Sequence, residues 1–486
     1  MRSLLAIVNV LGALLFLFAA YYLLPVITAL VYGETDELWV FLQCAAATAV
    51  AGAALLLVTR RHRAELKPRD GYLLVSLSWI AVTAAAAVPF LLGVPRLSFT
   101  DAFFESMSGL STTGSTVMTG LDSLPHAVNM WRCALHWLGG MGIIVLAVAV
   151  LPLLGVGGMQ MYRAEAPGPV KDAKLTPRIT ETAKALWLSY AGMTAVCILA
   201  LWGAGMPGFD AICHGFSVMS LGGFSTHDAS VGWFNSPLIE FVMILFMLLA
   251  SINFSTHFMA LRKGEFSAYR RDPEARWVFV WLGASVVAVT LALWLPGIYP
   301  DLLGTIRHSA FNVVALATTS GFMTEDYAQW PIFAPMWMLF LSCVIPNTGS
   351  TGGGIKMFRA LIMIKQAFRE MFVLVHPAAV APLKIAGQAV PNRVIYSVLA
   401  FVFVYFMTVL LLTFTLLASG MDFISAFTAT IASVNNAGPG LGTVGPASNY
   451  GVLTDFQTWV CALAMLLGRI EIFTFLILFT PSFWRK

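Results

Sequence analysis

Asp101-Ala-Phe-Phe-Glu-Ser-Met-Ser-Gly-Leu-Ser-Thr-Thr-Gly114 has three counterparts further along the chain. They read Asp210-Ala-Ile-Cys-His-Gly-Phe-Ser-Val-Met-Ser-Leu-Gly-Gly223, Ser309-Ala-Phe-Asn-Val-Val-Ala-Leu-Ala-Thr-Thr-Ser-Gly321 and Ser425-Ala-Phe-Thr-Ala-Thr-Ile-Ala-Ser-Val-Asn-Asn-Ala-Gly438. Each opens with a half-apolar segment too short to cross a bilayer and then reaches a glycine. The interval from first residue to glycine is 13, 13, 12 and 13. Self-similarity of this kind decides an architecture before any single element does.

The surroundings of these stretches are lipid-soluble. Of 486 residues, 59% are hydrophobic and 11% charged, against about 25% charged in a soluble protein. That balance excludes a soluble fold and a disordered chain. Ten stretches reach the roughly 20 apolar residues that span ~30 Å of hydrocarbon: 4–32, 39–58, 71–93, 131–158, 185–205, 237–261, 277–298, 332–374, 394–418 and 453–480. The first is too long for a cleavable signal peptide and is expected to stay as an anchor.

Sorting the 28 Lys and Arg by loop places 24 on one side of the membrane. Arg96, Arg132 and Arg307 fall on the other side, and Arg469 lies within the last span. The positive-inside rule then puts both termini in the cytoplasm. Acidic residues run the other way, 14 outside and 9 inside with Glu471 in the last span, so the faces carry about −11 and +15. A negative vestibule concentrates cations, although acids on outer loops also serve plain solvation.

Each repeat is therefore a span, a short re-entrant helix, a filter-like strand and a second span, starting and ending inside. The expected fold is an all-α polytopic membrane protein. Two peripheral N-terminal spans (1–70) precede four parallel repeats, 71–165, 166–265, 266–376 and 377–486, around one pore. Inverted repeats would instead give opposite topologies. Non-helical backbone at membrane depth must line protein or water, and carbonyl oxygens of four such strands can replace an ion's hydration shell. Glycine at 114, 223, 321 and 438 admits backbone angles that a Cβ disfavours. The pore helices aim partly negative C-termini at the ion, with Asp101 and Asp210 expected as N-caps.

These residues resemble the Trk/Ktr/HKT superfamily of potassium transporters, and within it the bacterial TrkH proteins. The resemblance extends over nearly the whole chain. It includes Gly139-Gly-Met-Gly-Ile143, Gly155-Val-Gly-Gly-Met-Gln-Met-Tyr-Arg-Ala-Glu165, Gly222-Gly-Phe-Ser-Thr-His-Asp228, Gly349-Ser-Thr-Gly-Gly-Gly354, Asn435-Asn-Ala-Gly-Pro-Gly-Leu-Gly442 and Leu467-Gly-Arg-Ile-Glu-Ile-Phe473. It implies K+ as the transported ion, a bacterial inner-membrane location and a homodimer with one pore per protomer. It also implies a cytosolic ring of TrkA-type, nucleotide-binding subunits. The implied potassium-contacting positions are Ser111, Thr112, Thr113 and Gly114; Ser220, Leu221, Gly222 and Gly223; Thr318, Thr319, Ser320 and Gly321; and Asn435, Asn436, Ala437 and Gly438. Serine in place of the first filter glycine goes with sodium permeation in this superfamily; all four are glycine here. One departure is Ile345-Pro346-Asn347, where TrkH proteins carry glycines and a small residue.

The eighth span is long and broken by Asn347-Thr348-Gly349-Ser350-Thr351-Gly352-Gly353-Gly354. Inside the pore this loop is a natural gate; a fixed packing kink is the plainer alternative. No GKS or GKT follows, so it is not a phosphate-binding loop. Arg469 stands about 11 residues from the inner end of its span, roughly 16 Å along a straight helix. Intramembrane charge is a functional candidate, and Glu471, two residues on, would face nearly the opposite way. A gate formed by Arg469 and the loop is the expectation, with a packing ion pair to another span as the alternative.

His136, His214, His257 and His308 lack metal-ligand spacing, and the six cysteines are scattered in apolar segments. The basic inner loops dock a partner or anchor the chain on anionic lipid; no nucleic-acid partner is expected. Two rival functions are a transporter coupling potassium to protons or sodium and a polytopic enzyme. Coupling wants a carboxylate on the ion path, and Glu471, expected to face away, is the candidate taken from the spans. An enzyme needs a convergent nucleophile, base or metal set, which the sequence lacks.

Overall fold

Apolar runs that lie in lipid must close their backbone hydrogen bonds internally, which makes them helices. A computed structural model describes residues 2–61, 67–142, 179–264 and 267–485. Six helical stretches in it are long and apolar enough to cross a membrane, and two bent pairs raise the total to eight. The fold is all-α and polytopic, with four span–pore helix–filter–span repeats arranged in parallel around one pore. The Gly155–Glu165 motif and most of the basic loop 163–184 lie outside the described residues.

The two N-terminal spans wrap repeat 1. Tyr22 stacks on the buried Trp131 ring at 4.5 Å, its hydroxyl donates to the Ala85 carbonyl at 2.7 Å, and Trp131 Nε1 donates to Ala86 at 3.1 Å. Large amphipathic rings of this kind supply apolar area while a polar tip finds a partner.

The first span of each repeat is continuous: Pro68–Leu92, Ile179–Gly203, Pro273–Trp294 and Asn392–Ala418. Pore helices follow at Phe99–Leu110, Gly208–Ser220, Leu302–Ala317 and Phe423–Asn435. Their caps correct one expectation. Ser98 caps the first, accepting from the Asp101 amide while Asp101 sits in the first turn, and Pro207 precedes the second. Aspartate caps the third and fourth instead, through Asp301 and Asp422.

The second spans are not single helices, and here the expected straight spans 237–261 and 453–480 are corrected. Pro237–Ser251 turns by 96° into the helix beginning at Phe254, and Asp455–Arg469 turns by 108° into the one beginning at Ile472. Repeat 3 divides into Phe333–Val344 and Met357–Val375 around the glycine-rich loop. In repeat 1 the helix His126–Gly140 stops at the Gly139-Gly140 pair. The physical reasons are local. Asn253 accepts from the Ser255 amide and starts a new helix, while Glu471 takes a positive φ of 57° and ends the old one.

This removes the straight-helix depth assigned to Arg469 and the opposite-face argument for Glu471. Arg132 is corrected too: it is no outer-loop charge but is buried against Glu105. Because one acid and one base leave the surface together, the outer balance of charge is unchanged.

Candidate ion path and inner gate

All four pore helices end in the same way. The amides of Thr113, Gly222, Ser320 and Ala437 each reach back five residues, to the carbonyls of Ser108, Ser217, Ala315 and Ala432, at 2.8–2.9 Å. That six-to-one bond is the Schellman helix ending, which places the residue before it in the left-handed region. Thr112, Leu221, Thr319 and Asn436 accordingly have φ of 58°, 55°, 67° and 54°. Left-handed backbone costs a residue with a Cβ roughly 1–2 kcal/mol. Such strain, repeated at one register in four segments of unlike chemistry, is characteristic of functional backbone.

Two residues on stand Gly114, Gly223, Gly321 and Gly438, with φ of 85°, 87°, 70° and 83°. A Cβ on Gly114 would collide with the Gly222 carbonyl oxygen, and one on Gly223 with that of Ser320. On Gly321 it would stand 2.5 Å from the Ala437 oxygen, and on Gly438 3.0 Å from that of Thr113. Each glycine therefore presses on the next repeat, and the fourth presses on the first: the four strands close a ring.

The side chains of these four strands are turned to protein partners. Ser111 and Thr113 share a hydrogen bond of 2.7 Å, and Ser220 donates to the Phe216 carbonyl at 2.8 Å. Thr318 and Ser320 donate back to their own helix, at 2.8 Å to Val314 and 2.9 Å to Ala315. Asn435 Oδ1 accepts from the Tyr405 hydroxyl at 2.6 Å, and its Nδ2 donates to Ser342 at 2.8 Å. Asn436 Nδ2 bridges to Thr113 Oγ1 and the Met465 carbonyl, both at 3.0 Å. Side chains thus brace the strands, leaving backbone oxygens as the groups suited to a dehydrated cation.

The glycine-rich loop lies against the inner ends of these strands. Thr351 Oγ1 donates to the Met219 carbonyl at 3.2 Å, and the Gly353 amide donates to Thr319 Oγ1 at 3.1 Å. A Cβ on Gly352 would stand 3.1 Å from the Thr318 oxygen, and one on Gly353 would collide with that of Asn435. Repeats 2, 3 and 4 are thereby touched by three consecutive loop residues. Repeat 1 is touched by Arg469, whose Nη1 donates to Thr112 Oγ1 at 3.1 Å and to the Thr351 carbonyl at 2.9 Å. Its Nη2 donates to the Gly139 and Gly140 carbonyls.

Several groups unforeseen from the sequence hold the loop. The Glu274 carboxylate accepts from the Thr348 amide at 2.8 Å and the Phe358 amide at 3.2 Å, tying together the two ends of the break. The Asn347 amide donates to the Ser251 carbonyl, and the Phe254 amide to that of Gly349, both at 3.1 Å, so the loop fills the kink of repeat 2. Lys356 Nζ donates to the Gly352 carbonyl at 2.5 Å. Pro346 lies under Gly352 and accepts from the Met357 amide at 2.9 Å. Glu471 pairs with Arg359 at 2.9 Å. Glu471, a third exposed, is therefore not the one carboxylate of the membrane region, since Glu105, Glu240 and Glu274 are buried there. No local motif marks Glu274 or Glu105: Glu274 resembles any other first-turn acid, and Glu105 stands in mid-helix.

Among the described residues no group of three or more His, Cys, Asp or Glu could hold a metal ion. The described cysteines are free and buried.

Comparison with known proteins agrees with this geometry. The profile of the TrkH family, described as cation transport protein, matches residues 38–486. The chain is 47% identical over 483 residues to the Trk system potassium uptake protein TrkH of Salmonella typhimurium, covering 99% of each. It is 40% identical to TrkG of Escherichia coli over 98% of this chain and 97% of that one. Its structure superposes on the crystal structure of the potassium transporter TrkH from Vibrio parahaemolyticus with a TM-score of 0.89 and 43% identity, over 100% and 99% of the two chains. A closed ring of four glycine strands, carried by parallel repeats that match this family from end to end, places the chain in the TrkH family of cation transport proteins.

Proposed function

We propose that this protein carries potassium into the bacterial cell through a pore selective at the ring of residues 111–114, 220–223, 318–321 and 435–438. The pore is closed beneath that ring by the loop Asn347–Gly354 and Arg469. The observation that carries the reading is the contact of loop and arginine with the inner ends of all four strands. A plug touching one strand braces a fold; a plug touching four blocks what passes between them. The five-part division at 70, 165, 265 and 376 follows the repeats.

The remaining parts of the reading concern the setting. The chain sits in the inner membrane with both termini cytoplasmic, as the basic loops favour. It forms a homodimer on a cytosolic ring of TrkA-type subunits whose nucleotide state moves the gate. Proton or sodium coupling is disfavoured because the carboxylates of the membrane region hold fixed partners: Glu105 with Arg132, Glu240 with Arg307, Glu471 with Arg359, and Glu274 with two backbone amides.

The test is rubidium uptake into proteoliposomes, with and without a TrkA-type subunit and nucleotide, and with and without a pH gradient. Flux that follows the rubidium gradient, prefers rubidium to sodium and depends on the regulator is expected. Uptake that requires the pH gradient would replace the pore by a coupled transporter.

A further inference from the structure

Behind each filter strand the pore helix sends one polar side chain outward, to the segment two or three residues past the glycine. In repeat 1, Glu105 accepts from Thr116 Oγ1 at 2.9 Å and the Val117 amide at 3.0 Å. In repeat 2, His214 Nε2 meets Ser225 Oγ at 3.0 Å. In repeat 3, Asn312 Nδ2 donates to Thr324 Oγ1 at 2.9 Å, and its Oδ1 accepts from the Thr324 amide at 3.2 Å. Glu105, His214 and Asn312 each stand nine residues before their glycine. Repeat 4 has Ala429 there, and its neighbour Thr428 accepts from the Leu441 amide at 2.8 Å instead.

Four unlike side chains thus make one kind of strut, holding the outer lip of each strand against its own helix. The strut of repeat 1 differs by being ionic and by reaching a second repeat. Arg132 Nε donates to Glu105 at 2.8 Å, with the two side chains 1% and 0% exposed. Arg132 Nη1 continues to the Ser225 carbonyl at 3.1 Å and to Asn129 at 3.3 Å. Its guanidinium lies 4.3 Å above the Phe224 ring. Phe224 and Ser225 directly follow Gly223, so one buried ion pair joins the outer lips of strands 1 and 2. Buried pairs persist only when nearly every donor and acceptor is satisfied, and they hold position more than they add stability. Charge-assisted bonds are also the shortest and least compliant available.

We infer that Glu105 and Arg132 are positioning residues for ion selection: they fix the spacing of the filter oxygens of repeats 1 and 2 against the contraction that sodium, the smaller ion, requires. This rests on reading the ring as the selectivity filter. The loop and Arg469 close the inner end, so the strut acts on which ion passes and not on whether the gate opens.

The experiment measures rubidium uptake and its inhibition by sodium in proteoliposomes of the full-length protein. Arg132→Lys keeps the charge but loses the planar fork that spans Glu105 and Ser225. The pair variant E105Q/R132M removes both charges, leaves no buried ion unpaired, and keeps the question answerable if E105Q alone fails to accumulate. Loss of one charge-assisted hydrogen bond corresponds to about a tenfold rise in the sodium-to-rubidium ratio. Such a rise is expected in both variants, with uptake in the absence of regulator at the wild-type level. Wild-type ratios in R132K and in the well-expressed pair variant would overturn the assignment. Raised regulator-independent uptake with an unchanged ratio would also overturn it, by assigning the pair to the gate. A wild-type protein that does not itself discriminate rubidium from sodium would refute the filter reading, an outcome separate from either of these.

Discussion

Replacing Arg469 by alanine tests the inner gate at its charge. The guanidinium is hydrogen-bonded to Thr112 at the inner end of strand 1, and a separation of about 4 Å is taken for a cation passing it. At that distance two unit charges repel by roughly 4 kcal/mol for an effective dielectric near 20, about three decades in occupancy. Arg469 is only partly buried, and solvent screening reduces the effect, giving a rise in basal rubidium uptake between about tenfold and a thousandfold. Arg469→Lys separates charge from shape. It retains the repulsion but cannot reproduce the fork that grips Thr351, Gly139 and Gly140 together, so it should leak far less than alanine. The assay is uptake without regulator at matched protein density, with sodium competition as the control for an intact filter. Shortening the loop acts on the same barrier, so combining it with R469A should yield less than the product of the single effects. Basal uptake at the wild-type level in both R469A and the shortened loop would refute the gate. Equal leaks in R469A and R469K would show that the fork, not the charge, closes it.

Three further outcomes follow from the same geometry. Gly114→Ser should raise sodium competition with rubidium uptake, because its Cβ collides with the Gly222 carbonyl and opens the ring locally; an unchanged ratio in a well-expressed variant would remove Gly114 from the filter. Glu274→Gln weakens the clasp on Thr348 and Phe358, and losing a charge-assisted bond predicts basal uptake up by about tenfold with selectivity intact; uptake at the wild-type level would make the clasp incidental. On the outer face, burial favours neutral His227, but the carboxylates of Asp210 and Asp122, 3.5 and 2.5 Å from its ring nitrogens, outweigh it and hold its pKa above the ordinary histidine value. Its contribution to stability is complete below the unfolded pKa of about 6.5 and is lost as pH rises through the raised folded value. The melting-temperature advantage of wild type over His227→Gln should therefore shrink with rising pH, and a constant difference would exclude the ion pairs as its source.

The glycine ring was legible because four backbones meeting at one axis leave little room for a Cβ, and that requirement selects glycine at 114, 223, 321 and 438. The strained positions just before were not. Thr112, Leu221, Thr319 and Asn436 share a backbone angle but not one side-chain chemistry, since the helix ending imposes the angle through main-chain bonds alone. Breaks in the return spans were legible only where glycine accumulates, at 349–354. Ser251-Ile252-Asn253-Phe254 and Arg469-Ile470-Glu471 interrupt the helix without interrupting the apolar run, and hydropathy averages over them. Charge sorting placed Glu105 and Arg132 in outer water for a related reason: 27 residues apart in sequence, they find each other only after the chain has turned at the filter.

Those omissions explain how an almost fourfold ring can be closed by parts that are not fourfold. The repeats agree at the helix endings and at the glycines that close the ring. Below the ring the return helices of repeats 2 and 4 bend away, at Ser251 and Arg469. Into that opening, among the described residues, repeat 3 inserts a loop whose glycines approach neighbouring carbonyls more closely than any side chain allows. Repeat 4 supplies the charge, and the helix start of repeat 3 supplies the Glu274 clasp. On the proposed gating, release of the loop uncovers the strands of repeats 2, 3 and 4 together and release of Arg469 uncovers that of repeat 1, so two elements that sequence periodicity hides control the whole ring.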